Sequence, residues 1–231
     1  MSKKYELLKD KHIEYRGKTL YRIKALRDFY NVKKGDIGGY VESEKNLSYY
    51  GNCWVYDNAK VCDNAIVHDN AKIYGNAEIC DNTIVYNNAE VCDSAIVYNN
   101  VEVCGNAKIY GNAEIFGYAE IYNNARVYGK ARVYGNAEIY DNAKIYKGMI
   151  TGKISIPYKD IFQYQCQNRI LTAILTENDE ILYTIGCQEN ITKEEFLDRI
   201  YNEGGGLKGN PHREEYLRLI PVIEMYFKGY K

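Results

Sequence analysis

Three histidines and seven cysteines are the residues of this 231-residue chain best suited to chemistry. His68 could act as a general base, if its imidazole sat within hydrogen-bond reach of a substrate hydroxyl in an enclosed site. Cys187 ends Ile185-Gly186-Cys187, shortly before a predicted helix start at Thr192. A thiol near a helix N-terminus can have a lowered pKa and be nucleophilic. His212 could partner it, although nothing in the spacing brings the two together. The competing structural readings are an exposed surface residue for His68 and buried packing for Cys187, and the sequence favours these. An odd number of cysteines without a C-x-x-C pair suggests neither a zinc site nor a disulfide framework, so no metal or cofactor is expected. Such cysteine use fits a reduced, cytoplasmic setting.

The stretch that must position His68 runs from Gly51 to Tyr146 and repeats every six residues without insertion, as in GNCWVY, DNAKVC, DNAIVH and DNAKIY. Position one is Gly, Asp or Asn, position two is mostly Asn, position three mostly Ala, position five Ile or Val, and position six mostly Tyr. Side chains alternate along a strand, so positions three and five share an inward face while four and six point outward. The Gly/Asp-Asn pair turns the chain, because these residues tolerate left-handed backbone. No single unit can bury its Ala and Ile, so the units must wind around a shared core. The phase carries back to Gly39, giving six coils over 39–146 and a column about 29 Å tall at ~4.8 Å per coil.

The inward Ile or Val, the small residue four places later (Val55 to Ala59, Ile73 to Ala77) and the Asn before it resemble the hexapeptide-repeat proteins. That resemblance implies a left-handed parallel β-helix of triangular section, with three units per coil. Acyltransferases of this class use a histidine as general base, with a loop excursion to bind the acyl carrier. Here His68 stands where Tyr usually stands, and no insertion walls off a site. GKTLYRIKALRDF, KKGDIGGYVE, the GNA-x-V-Y repeat and the RILTAI…GC…TKEEF tail also resemble proteins encoded by bacteriophages and prophages, often labelled hexapeptide transferases. The resemblance implies an origin more than a mechanism.

The flanks read as follows. Residues 1–38 form an N-terminal capping segment, in which His12–Tyr15 and Thr19–Leu26 read as a hairpin turning at Arg16-Gly17-Lys18. Residues 39–152 form the β-helix, and 153–231 a small α+β domain. In the latter, Ile161–Cys166, Arg169–Thr176 and Ile181–Ile185 are strand-like, and Thr192 with Glu195 forms a capping box. Asn210 and Pro211 open a second helix, which Pro221 should kink. The fold class is therefore mainly β, with both flanks closing the open ends of the column.

Units three apart stack, so the outward residues sort into three faces. Face one carries Trp54/Tyr56, Lys72/Tyr74, Glu90/Cys92, Lys108/Tyr110, Arg126/Tyr128 and Lys144/Tyr146, a net +3 with abundant aromatics. Face two carries Lys60/Cys62, Glu78/Cys80, Ile96/Tyr98, Glu114/Phe116 and Arg132/Tyr134, with no net charge. Face three carries Ile66/His68, Ile84/Tyr86, Glu102/Cys104, Glu120/Tyr122 and Glu138/Tyr140, a net −3. Stacked glutamates should repel unless something cationic meets them.

A net charge of −1 gives no global attraction to nucleic acid or anionic membrane. The Met1–Asp10 segment lacks an apolar signal core and no run reaches membrane-spanning length, so a soluble chain is expected. The favoured function is a non-catalytic, phage-type scaffold or binding protein in the host cytoplasm. It would self-associate, most simply as a trimer with face one against face three, or bind another protein. The alternatives are an acyltransferase using His68 or Cys187, and a face-one site for an anionic ligand such as single-stranded nucleic acid.

Overall fold

A computed structural model describes residues 3–154, 160–166, 169–176, 178–185, 188–201 and 213–229. The chain forms two compact units, Met1–Ser155 and Ile156–Lys231.

The first unit is a parallel β-helix of about six turns. Its two-residue strands, one per hexapeptide, stack into three sheets. One runs from Ile37–Val41 through Lys60–Val61 to Met149–Ile150, a second from Trp54–Val55 to Lys144–Ile145, and a third from Ile66–Val67 to Lys153–Ile154. Within the hexapeptide run pairing is parallel at eighteen-residue offsets, as in Lys108↔Arg126 and Ile109↔Val127. The phase does not carry back to Gly39: Val41 pairs with Val61 and Leu47 with Val67, an offset of twenty that puts both in the Ile/Val place instead of the Ala place, and the last coil pairs at seventeen and fifteen. The inward positions fill the column: Ala59, Val61, Ile109 and Val127 are all fully buried. Each corner places position one in the left-handed region, with φ of 51° at Asp57 and 59° at Asp81. Most corners close through an i→i+3 bond, as from Ala59 N to Tyr56 O at 3.1 Å.

Corner side chains then knit successive coils together. The Asp57 carboxylate accepts from Gly75 N at 3.0 Å, and that of Asp93 from Gly111 N at 2.9 Å. Position-two amides form a ladder through Asn52, Asn70, Asn88, Asn106 and Asn124, each Nδ2 donating to the next Oδ1 at 3.0–3.3 Å.

The N-terminal hairpin, Tyr5–Tyr15 and Lys18–Ala25, adds two antiparallel strands to the first sheet. Its first arm is longer than the sequence pattern indicated, because polar Lys9-Asp10-Lys11 hides the alternation. Gly38 and Gly39 let this segment pass tightly beneath the first coil. A Cβ on Gly38 would lie 2.5 Å from Val55 O, and one on Gly39 2.6 Å from Ala59 O. Buried Lys4 donates to Cys53 O at 2.9 Å, and the Tyr5 hydroxyl to Leu47 O at 2.7 Å, so these two buried groups are satisfied.

The second unit has a four-stranded antiparallel sheet in the order Asp160–Cys166, Arg169–Leu175, Ile181–Ile185, Gln188–Ile191. The fourth strand was not anticipated, because Gln-Glu-Asn offers no apolar alternation. Helix α1 (Lys193–Tyr201) begins at the predicted capping box. Thr192 Oγ1 accepts from Glu195 N at 3.2 Å, and Glu195 Oε2 accepts from Thr192 N at 2.8 Å. Helix α2 (Arg213–Lys228) runs through Pro221 and buries Tyr216, Ile220, Ile223 and Phe227. Asn210 and Pro211 lie outside the described residues.

Thr83 stands at an inward position where most units carry Ala. Its hydroxyl is buried with no hydrogen-bond partner. An unsatisfied buried hydroxyl costs about 1–3 kcal/mol, so Thr83→Val should stabilise the protein by about 1–2 kcal/mol. Ile109→Ala should cost about 2–5 kcal/mol, because no rearrangement of a stacked column can close the gap. Urea unfolding of both variants checks the opposite signs.

Candidate functional site: the outer faces of the column

Face one is not the continuous surface that the sequence suggested. Trp54, expected to point into solvent, is 1% exposed. The N-terminal segment folds over it, with Phe29 edge-on at 5.3 Å and Tyr5 at 6.1 Å between ring centroids. Side-chain direction is legible from alternation, but not what packs over it. The Tyr56 hydroxyl donates to Asn31 Oδ1 at 2.8 Å, and the Lys72 ammonium sits 4.9 Å from the Tyr30 ring centroid. The lower coils of this face are thus committed to the chain's own N-terminus.

Higher up, Glu90 lies between two lysines, with Lys108 at 3.1 Å and Lys72 at 3.7 Å. The Tyr74 hydroxyl also donates to it at 3.3 Å. Burial works to raise the Glu90 carboxyl, but the Lys108 hydrogen bond and both lysine charges prevail and hold it below the ordinary carboxylate range. Beyond this cluster come Arg126, which is exposed, and half-buried Lys144. Neither has an ion pair or hydrogen bond from its side chain among the described residues. Beside them Tyr110 and Tyr128 stack at 4.9 Å with 4° between planes, and Tyr146 follows at 6.2 Å.

Face three holds its glutamates in register, Glu102 beside Glu120 and Glu120 beside Glu138. The chain relieves the two ends. Glu102 accepts from the Tyr86 hydroxyl, and Glu138 pairs with Lys153 at 3.0 Å. Glu120 is exposed and has no such partner among the described residues. Tyr122 and Tyr140 stack alongside at 5.3 Å.

His68 forms one rung of this face. Its ring lies 5.0 Å from that of Tyr86 with 12° between planes, and its Nδ1 sits 3.2 Å from Asp69 Oδ1. The hydrogen bond from His68 lowers the Asp69 carboxyl. These contacts make His68 a ladder residue and orient it along the wall. Cys187 and His212 lie outside the described residues. Exposed Ile66 stands beside His68 on the same rung, while Ile84, Ile96 and Phe116 are half-buried.

Face two holds a buried cluster that outward alternation does not reveal. The outward cysteines Cys62 and Cys80, one coil apart, are 1% and 3% exposed. The hairpin covers them with Leu20, while Ile13, Tyr15, Tyr40 and Tyr98 pack around. Asp63 completes a cluster in which the two sulfurs and a carboxylate oxygen lie within 4.8 Å of one another. The eighteen-residue period already places Cys62 and Cys80 on successive coils of this face, but C-x-x-C spacing is blind to two ligands joined by stacking.

No protein-family model matches the chain, and comparison with curated proteins gives no significant relative. No helix among the described residues is long and apolar enough to cross a membrane.

The Lys72–Glu90–Lys108 cluster has a signed consequence for pH. A carboxylate whose folded pKa is depressed stabilises the fold above its unfolded value, and that contribution is lost as pH falls through the folded value. Glu90→Gln should therefore lower stability near neutral pH by up to about 1 kcal/mol. It should also flatten the loss of stability below about pH 4. Thermal unfolding of both proteins across that range checks it.

Proposed function

We propose that this protein is a non-catalytic β-helical scaffold that works by protein–protein contact, first of all with copies of itself. The observation that carries the reading is the distribution of charge left over after intrachain pairing. On face one Glu90 offsets one of Lys72 and Lys108, leaving the charge of the other together with Arg126 and Lys144. On face three Lys153 offsets Glu138, leaving Glu102 and Glu120. Arg126 and Glu120 belong to the same coil, so a closed ring of copies would set one against the other at nearly the same height. Each wall also carries tyrosines, which supply contact area, while the charges would set register. A closed ring with this contact is most simply a trimer.

The stacked tyrosines favour protein contact over base stacking. At 4.9 Å and 4°, Tyr110 and Tyr128 cover each other's ring faces and present mainly edges outward. A nucleobase needs an accessible ring face. The resemblance to phage and prophage proteins supports a phage-type scaffold, for which the host cytoplasm would be the setting.

Multi-angle light scattering should give three chain masses at micromolar concentration. Arg126→Glu with Lys144→Glu should dissociate the assembly, and adding Glu102→Lys with Glu120→Arg should restore it. A monomer at every concentration would remove the ring. Turnover of an acyl-CoA that vanished in His68→Ala would overturn the non-catalytic reading.

A further inference from the structure

We propose that Cys62, Asp63 and Cys80 bind a zinc-class metal ion beneath the N-terminal hairpin. The two cysteines hold position six of consecutive coils, on adjacent rungs paired in parallel register. Cys62 Sγ lies 3.4 Å from Asp63 Oδ2. In a tetrahedral site with Zn–S near 2.3 Å and Zn–O near 2.1 Å, sulfur and oxygen ligands stand about 3.6 Å apart. One edge of the site is therefore already in place. With all three donor atoms within 4.8 Å of one another, the other edges need to contract by about 1 Å or less. Two thiols with a carboxylate suit a borderline-soft cation, and three protein ligands leave a fourth position for water.

The surroundings hold the carboxylate in a ligating pose. Asp63 Oδ1 accepts from the Lys18 ammonium, while Oδ2 faces Cys62 and the Asp81 amide at 3.4 Å. Glu42 Oε2 accepts from Asp63 N at 2.7 Å and from Lys18 at 3.4 Å, which ties the hairpin to the same cluster. Such outer partners orient metal ligands. Binding to both sulfurs releases the thiol protons to solvent.

A disulfide fits this geometry less well. Parallel, in-register rungs hold the two Cβ atoms near the ~4.8 Å coil spacing. A disulfide needs them about 3.8 Å apart and its sulfurs at about 2.05 Å. A bridging metal needs the sulfurs only about 3.8 Å apart.

The test is a Co²⁺ titration of the reduced, metal-free full chain, followed by displacement with Zn²⁺. One equivalent should give a thiolate-to-cobalt charge-transfer band that Zn²⁺ abolishes. Cys62→Ser and Asp63→Asn should each weaken binding by about 10- to 100-fold or more, and the Cys104→Ser control should leave it unchanged. In the unmutated chain, Zn²⁺ should slow alkylation of Cys62 and Cys80 but not of Cys104, a readout that survives misfolding of any variant. Absence of the band, or a band that persists in both Cys62→Ser and Asp63→Asn, would overturn the site. So would a Cys62–Cys80 disulfide that forms in air and blocks cobalt, which would make the pair a redox couple instead.

Discussion

In-register stacking at eighteen residues is the constraint on which this structure depends. Each residue rests on the residue occupying its own place one coil below, so every substitution is judged by its fit to a counterpart of the same kind. For Ile, Val and Ala this gives a continuous dry interior. For Asn it gives a hydrogen-bonded ladder from Asn52 to Asn124. For Tyr it gives stacked rings such as Tyr110 on Tyr128. For Glu it gives repulsion, and the wall from Glu102 to Glu138 is where the rule works against stability.

The column's interior was legible from the sequence for a simple reason. A strand alternates with period two and the corner residues keep that alternation in phase, so the inward places of Ile109 and Val127 follow from composition alone. Helix α1 was legible because Thr192 and Glu195 make a local, reciprocal pair. What escaped depends on contacts between distant segments. Trp54 obeys the outward rule, yet it is buried because the Phe29 region folds across it. Cys62 and Cys80 are likewise outward, and become interior only through Leu20 of the hairpin. Charge summed over a wall also hid its distribution on face one, since Glu90 sits between Lys72 and Lys108 and leaves the excess toward Arg126 and Lys144.

The N-terminal segment divides the column into a covered and an open part. The column's first coils are occupied by the N-terminal segment, which seals the end, covers Trp54 and closes over the cysteine pair. The later coils keep their outer walls, and there Arg126 and Glu120 remain without intrachain partners among the described residues. A hairpin that lies antiparallel on a parallel sheet also ends the stack, since its outer arm no longer offers a further coil a parallel template.

The uninterrupted hexapeptide count has a bearing on how such a chain can change in length. Adding or losing one hexapeptide would preserve inside and outside yet rotate everything downstream by a third of a revolution. Arg126 would then move to a different side from Lys72, and the segregation of acid from base would be lost. Only whole turns keep each side's identity. The height of the column can therefore grow or shrink in steps of about 4.8 Å, and its chemistry tolerates nothing smaller.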